Sequence, residues 1–507
     1  HRLVLVHCFI KSNQDIMETL LQQLTRGDAL LLIIILGVSG SFQQGYQTTE
    51  LSSPSPYIQR FINSTLYERH GEIPSPKTVT MIWSLIVSLY ALGGLCGAIS
   101  VKYITGTLGR KRAMICSSCV GLVAAAFVLS SKYAKSFEMI IVARIVYGFT
   151  AGLSTSTHSM YLGEISPRKL RGIVTLSYST FQSLGKLSGQ LFGLSEILGR
   201  EELWNFLLCV PTFFSVIQIV VLPFLPESPR YLFIEKGEDE ACKKALQRLW
   251  GKGDYKMEME EMLAEQAAIN AAKPKTPLQL LKDRSVRWQL ITMVTIYVCN
   301  LMSGMTAVSV FSFDIFLQAG IPKDMIRYVT LGLGLTEILT FVSCGMLIER
   351  TGRRVMFWMG YGLMAVCWVF ATVTLTLKDS NYWVPYITPC LIFLFIIFFC
   401  GGPSGSTPTL INEIFIQSDR LAAFVLTGIQ RWLLVALIGL VFPFIVSGLD
   451  SYCFVMFGCF ALMGSAFTFF FLPETKGKTL LEISKEFRSI NVCGKSISED
   501  IVMDTKL

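Results

Sequence analysis

The chain has 507 residues, 52% of them hydrophobic and 16% charged, with a net charge of +8 and a mean hydropathy of +0.52. A soluble protein of this size is about a quarter charged and divides into several domains, so the composition excludes an ordinary soluble enzyme and makes the bilayer the solvent. The surplus Lys and Arg lie between apolar runs, where membrane topology puts them, which argues against a nucleic-acid partner.

Residues 1–16 precede Met17-Glu-Thr-Leu, which reads as a natural start. The run from Leu3 to Ile10 is too short to span a bilayer, and no small-residue cleavage site precedes Met17. The segment is therefore read as an extension of the gene model rather than a signal peptide. Twelve apolar segments of membrane length follow, at 29–48, 80–103, 113–131, 138–162, 172–194, 204–225, 289–317, 328–348, 355–377, 385–411, 421–447 and 452–472. Only helices satisfy their backbone groups across so many single spans. The expected fold class is an all-α membrane protein: an N-terminal segment 1–28, a six-helix half 29–225, a linker 226–287, a second six-helix half 288–472 and a tail 473–507. The linker is polar, with helical stretches Glu238–Leu249 and Tyr255–Ala272.

The loops after spans 2, 4, 8 and 10 carry Arg110/Lys111/Arg112, Arg168/Lys169/Arg171, Arg350/Arg353/Arg354 and Arg420. The positive-inside rule places these loops, and hence both termini, in the cytoplasm. The opposite loop, 49–79, holds Asn63-Ser64-Thr65, so Asn63 is an expected glycosylation site.

Three charged phrases occur twice. Gly109-Arg110-Lys111-Arg112 returns as Gly352-Arg353-Arg354, Glu164-x6-Arg171 as Glu413-x6-Arg420, and Pro226-Glu227-Ser228-Pro229 as Pro473-Glu474-Thr475, at offsets of 243, 249 and 247 residues. A membrane domain duplicated with its charges in register is the architecture of a rocker-switch transporter. Charges at helix ends cost little when they pair with one another or reach water. The expectation is a salt-bridge latch at the cytoplasmic ends of each half, which breaks when that side opens. Its first copy comprises Arg110, Lys111, Glu164, Arg171, Glu227 and Arg230, its second Glu349, Arg353, Arg354, Glu413, Arg420 and Glu474; Arg144, inside span 4, is a further cation in need of an acid. The alternative is that these charges only fix topology.

The motif set resembles the sugar transporters of the major facilitator superfamily, specifically the animal facilitative hexose transporters. The matching residues are Gly-Arg-Lys at 109–111, Met160-Tyr-Leu-Gly-Glu-Ile-Ser-Pro167 with Leu170-Arg171-Gly172, Pro-Glu-Ser-Pro-Arg at 226–230, Glu349-Arg-Thr-Gly-Arg-Arg354, Glu413-Ile-Phe with Arg420, and Pro473-Glu-Thr-Lys-Gly477. The likeness covers roughly residues 25 to 490. Phe442-Pro443-Phe444-Ile445 and Glu413-Ile-Phe-Ile-Gln resemble the fructose-transporter branch, class II, and Glu337 resembles its eleventh-member type.

A carried sugar needs a midplane site of amides and hydroxyls with an aromatic face. The resemblance implies that Gln43 on span 1 and Trp432 on span 11 belong to it, and that Gly401-Gly402-Pro403 bends span 10. Other sugar-binding positions of the family are replaced. Ser179 stands for a span 5 glutamine, Asn300 and Leu301 for a glutamine pair, Thr306 and Glu337 for asparagines, and Pro408 for an aromatic residue. Charge takes their place: Lys186 lies on span 5 in helical register with Ser179, Gln182 and Gln190, and Arg431 sits beside Trp432. Spans 5 and 8 face each other in this fold, so Lys186 and Glu337 are expected to pair across the cavity; the alternative gives each a local partner. Two cations and one acid also suit an anionic substrate such as urate, a type the resemblance includes.

No GxxxxGK[ST] motif is present, since Leu472 stands where Gly477-Lys478-Thr479 would need glycine, and ATP drive is not expected. Gln47 follows Gly45-Tyr46 where proton-coupled relatives carry aspartate, which favours uniport; Glu50 and Glu337 keep proton coupling open as the alternative. The four histidines, His1, His7, His70 and His158, form no catalytic cluster, and Cys116-Ser-Ser-Cys119 has no second ligand pair. The expectation is thus a monomeric hexose carrier in the plasma membrane, not an enzyme, with no cofactor, metal, nucleotide or nucleic acid. A sugar sensor on the same fold would carry a long tail, and the tail after Lys478 is short.

Overall fold

The computed structural model describes residues 18, 19, 21–167, 171–271, 273–415, 417–449, 452–476, 478 and 480–489. The described residues are helical apart from short connections. Eleven helices among them have the length and composition to cross a membrane. The twelfth span, span 5, is Arg171–Phe192, and its Gln182, Lys186, Gln190 and serines leave it too polar for that criterion. It gains its place by packing against the outer part of span 1, Ser41–Thr49, and against span 8, Lys323–Thr351. With it, the described residues hold the twelve spans expected.

Three spans are broken at a glycine. Span 1 divides at Gly40 into Ala29–Ser39 and Ser41–Thr49. Span 10 divides at Gly402 into Ile387–Gly401 and Pro403–Ile414, as the Gly-Gly-Pro sequence implied. Span 7, Arg287–Gln318, is unwound at Gly304, whose φ of +109° lies where a side chain is strained. The carbonyl of Ser303, beside the break, accepts a bond from Trp368 Nε1 at 2.7 Å, so this acceptor is satisfied within the protein.

Within the first half, small residues let backbones touch. Span 2 (Pro76–Leu108) carries Gly93 and Gly97, and span 4 (Glu138–Ile165) carries Gly148 and Gly152. A Cβ on Gly148 would lie 2.0 Å from the Tyr90 carbonyl oxygen, and one on Gly152 2.2 Å from that of Gly94. Lipid supplies no hydrophobic drive between helices, so such close contact does the holding.

The linker forms Asp239–Trp250, Lys256–Ala271 and Pro277–Lys282, matching the helical stretches expected there and adding a third, started by a Thr276–Gln279 capping box. It is docked at both ends. Trp250 Nε1 donates to the Ile165 carbonyl at 2.9 Å, capping span 4. Lys275 bonds Asp283 at 2.5 Å and Asp419, at the start of span 11, at 3.2 Å. The hydrogen bond from Lys275 holds the Asp283 carboxyl down at about 2.

Substituting Gly148→Val forces spans 2 and 4 apart, since its neighbour is backbone that cannot swing away. The expected cost is at the upper end of overpacking, about 3 kcal/mol, read as a lower Tm of the purified protein in detergent.

Candidate functional site

At the linker end the repeated phrases build the same device twice. In the first half, Arg110, at the start of span 3 (Arg110–Tyr133), grips Glu164 with Nε at 3.0 Å and Nη2 at 2.7 Å, and reaches Glu235 at 3.0 Å. Ser228 Oγ donates to Glu164 at 2.5 Å, and Glu227 accepts the Lys111 backbone N–H at 3.1 Å. In the second half Arg353 Nη2 meets Glu413 at 3.0 Å, Thr475 donates to Glu413, and Glu474 accepts the Arg353 N–H at 3.1 Å. Glu227 and Glu474 thus place negative charge at helix N-termini, where the dipole favours it. The side chains of Lys111 and Arg354 donate to the carbonyls of Leu225 (3.1 Å) and Phe469 (2.5 Å), at the ends of spans 6 and 12, and pair with no carboxylate among the described residues.

Arg230, expected in this set, pairs with Glu261 at 3.4 Å and with Glu265 of the linker. One expectation about this end is corrected. Arg144 is at the opposite end of the molecule, because span 4 starts at Glu138 and Glu164 lies twenty residues, about 30 Å, further along. Arg144 is buried there against Glu50 at 3.2 Å, donates to the Ile86 carbonyl and lies 4.3 Å over the Tyr90 ring. Among the described residues, the ion pairs of the repeated phrases lie within a half or reach the linker. The side chains of Arg171, Glu349 and Arg420 lie outside the described residues.

At mid-membrane, Lys186 Nζ lies 3.0 Å from Glu337 Oε1, joining span 5 of one half to span 8 of the other. Both side chains are largely buried, at 18% and 9% exposure. Beside them Gly334 packs so closely on Gln190 that a Cβ would meet its Oε1 at 2.2 Å. Gln182 Nε2 donates to Gln44 Oε1 at 2.7 Å. Gln43 instead bonds Ser215 on span 6 at 3.1 Å, inside the first half. Gln44 thus reaches span 5, while Gln47 accepts from Tyr90 at 3.0 Å.

Asn300 is committed within the second half: its amide donates to Thr407 at 2.9 Å and accepts from Tyr361. Thr306 is half-buried just beyond the Gly304 break, and Ser179 is exposed. Trp432 crosses the seam, laying its ring over Gly94 and meeting Tyr90 edge-on at 6.1 Å. Arg431 is exposed, within electrostatic reach of Tyr90, Tyr178 and Tyr297, and has no ion-pair partner among the described residues. Among the described residues the three charges therefore resolve into an ion pair and one cation without an acidic partner. Asn63 is exposed on the helix Ser55–His70.

Glu50→Gln leaves Arg144 buried without its counter-charge and is expected to cost about 3–5 kcal/mol, as for other broken buried pairs. Replacing both, Glu50→Leu with Arg144→Met, should recover much of the lost thermal stability.

The model of the family described as sugar (and other) transporter matches residues 33–487. Solute carrier family 2, facilitated glucose transporter member 9 of Mus musculus is 42% identical over 464 residues, 91% of this chain and 86% of its own. Member 11 of Homo sapiens is 41% identical, covering 93% of this chain and 95% of its own. Member 5 of Ovis aries is 38% identical, with 91% and 92% covered. Among solved structures, the inward open conformation of the xylose transporter XylE from E. coli superposes with a TM-score of 0.73 at 17% identity, covering 90% of this chain and 99% of XylE. That likeness is one of fold, and the sequence matches carry the assignment: the chain belongs to the sugar transporter family, within the branch of solute carrier family 2 that holds members 5, 9 and 11.

Proposed function

We propose that the protein is a facilitative carrier of hexose, fructose and/or glucose, working as a monomer by alternating access in the plasma membrane, with both termini and the linker in the cytoplasm. The observation that carries the passive reading is Gln47, which follows Gly45-Tyr46 on span 1 and accepts from Tyr90 at 3.0 Å. An amide carries no exchangeable acid proton, so that position offers no relay. The cross-half position of Lys186 and Glu337 supports their lying on the route of the solute, with Gln182, Ser179 and Trp432 supplying polar and aromatic surface. Gln43, Asn300 and Thr306 belong to the same proposal, the first two as groups whose present bonds would have to exchange for solute.

A second reading, carriage of an organic anion such as urate, is favoured by one observation: Arg431 is exposed and has no ion-pair partner among the described residues. The cavity then carries net positive charge, which draws an anion and is indifferent to a neutral sugar.

Proteoliposome uptake of labelled fructose, glucose and urate tests both. Hexose uptake unchanged by a protonophore supports uniport, and proton dependence overturns it. Arg431→Gln should lower urate uptake about tenfold or more and leave hexose uptake within about twofold if the anion reading holds. Glu337→Gln should depress whichever solute is carried; if no solute exceeds background in the wild type, both readings fall. Sidedness is checked by glycosidase treatment of intact cells, with a mobility shift expected for the wild type and lost in Asn63→Gln.

A further inference from the structure

At the end opposite the linker, the two halves are joined by a knot of contacts centred on Arg327, near the start of span 8. Its Nε donates to Ser53 Oγ at 2.9 Å, and its Nη2 donates to the Ser53 carbonyl at 3.3 Å and to Tyr57 OH at 3.1 Å. Ser53 lies in the turn after span 1, and Tyr57 in the helix that follows it, so all three bonds cross from the second half to the first. The guanidinium also lies 5.4 Å from the ring centres of both Tyr57 and Phe313, one from each half. Ser53 in turn donates to the Gly193 carbonyl just past span 5, and the neighbouring Tyr328 donates to Glu196. Next to the knot, Ser52 and Ser312 share a 2.5 Å hydroxyl contact, again across the halves.

We propose that Arg327 is the latch that holds this end closed, and that its release is a required step each time the carrier opens there. Three features make it a latch rather than a strut. Every acceptor it uses is neutral, and no carboxylate pairs with it among the described residues, so letting go strands no opposite charge in the membrane. The arginine needs its planar, multi-donor head to serve Ser53 and Tyr57 together, which a lysine cannot do. It also sits on the helix that carries Glu337, ten residues or about 15 Å away, so the central ion pair and the outer knot are fixed to one rigid rod.

The inference rests on alternating access, and its test is arranged so that the two can fail separately. In the background Ser52→Cys with Ser312→Cys, oxidant closes a disulfide only while this end is shut, whether or not any solute is carried. Adding Arg327→Ala should slow that cross-linking about tenfold, the factor that one or two ordinary hydrogen bonds supply. Arg327→Lys should fall between, and Tyr328→Phe should slow it about threefold. In transport, Arg327→Ala should lower the half-saturating concentration for solute offered at this end, because the open form is favoured, and lower the maximal rate, because closure is disfavoured. Unchanged cross-linking in folded Arg327→Ala overturns the latch. If cross-linking slows as expected while the wild type carries no fructose, glucose or urate, the latch stands and the transport reading fails.

Discussion

A charge placed at depth in this molecule must find its counter-charge or acceptors within the protein, because lipid supplies neither. That constraint explains why the cations and acids occur in matched sets and why each set joins particular helices. Arg110 with Glu164 and Arg353 with Glu413 bind the start of one span to the end of the next, making each half's base a unit. Arg144 with Glu50 does the same at the far end of the first half. Lys186 with Glu337 joins the halves at mid-membrane.

This division of labour gives the rocking motion its mechanical form. Pairs inside a half stiffen it and can persist through the cycle, while contacts between halves must exchange. The close glycine seams between spans 2 and 4, and between spans 1 and 5, belong to the stiff part; the Gly45 position faces the Gln182 backbone at a distance no side chain would fit. The breaks at Gly40, Gly304 and Gly402 interrupt spans 1, 7 and 10, where local bending can occur without unpacking either half.

Much of this was legible in the residues. The doubled phrases revealed two halves, and Arg110 with Glu164 and Arg353 with Glu413 are neighbours in space. Lys186 and Glu337 stood out because each interrupts an otherwise uncharged span, and the family topology made them face each other. What failed to show was depth and rotation. Arg144 was grouped with the wrong end because a motif says which charges need partners, not where along the helix they lie; counting from the turn at Glu138 would have placed it. Which of the adjacent Gln43 and Gln44 reaches span 5 is a matter of rotation that spacing alone leaves open. Arg327 drew no notice because a cation at the mouth of a span is common, and its partners are serine and tyrosine groups from the other half that no spacing relates to it.

The polarity of span 5 has a consequence for how the chain is made. Arg171–Phe192 is too hydrophilic to settle in lipid alone, and the carboxylate that answers Lys186 comes 151 residues later. During synthesis the nascent first half therefore holds an unanswered ammonium, and its fifth helix depends on shelter from span 1, from water or from the insertion machinery. Only when span 8 emerges does that helix acquire its permanent neighbour. Biogenesis of the two halves is on this account not independent: the second half completes the insertion of the first.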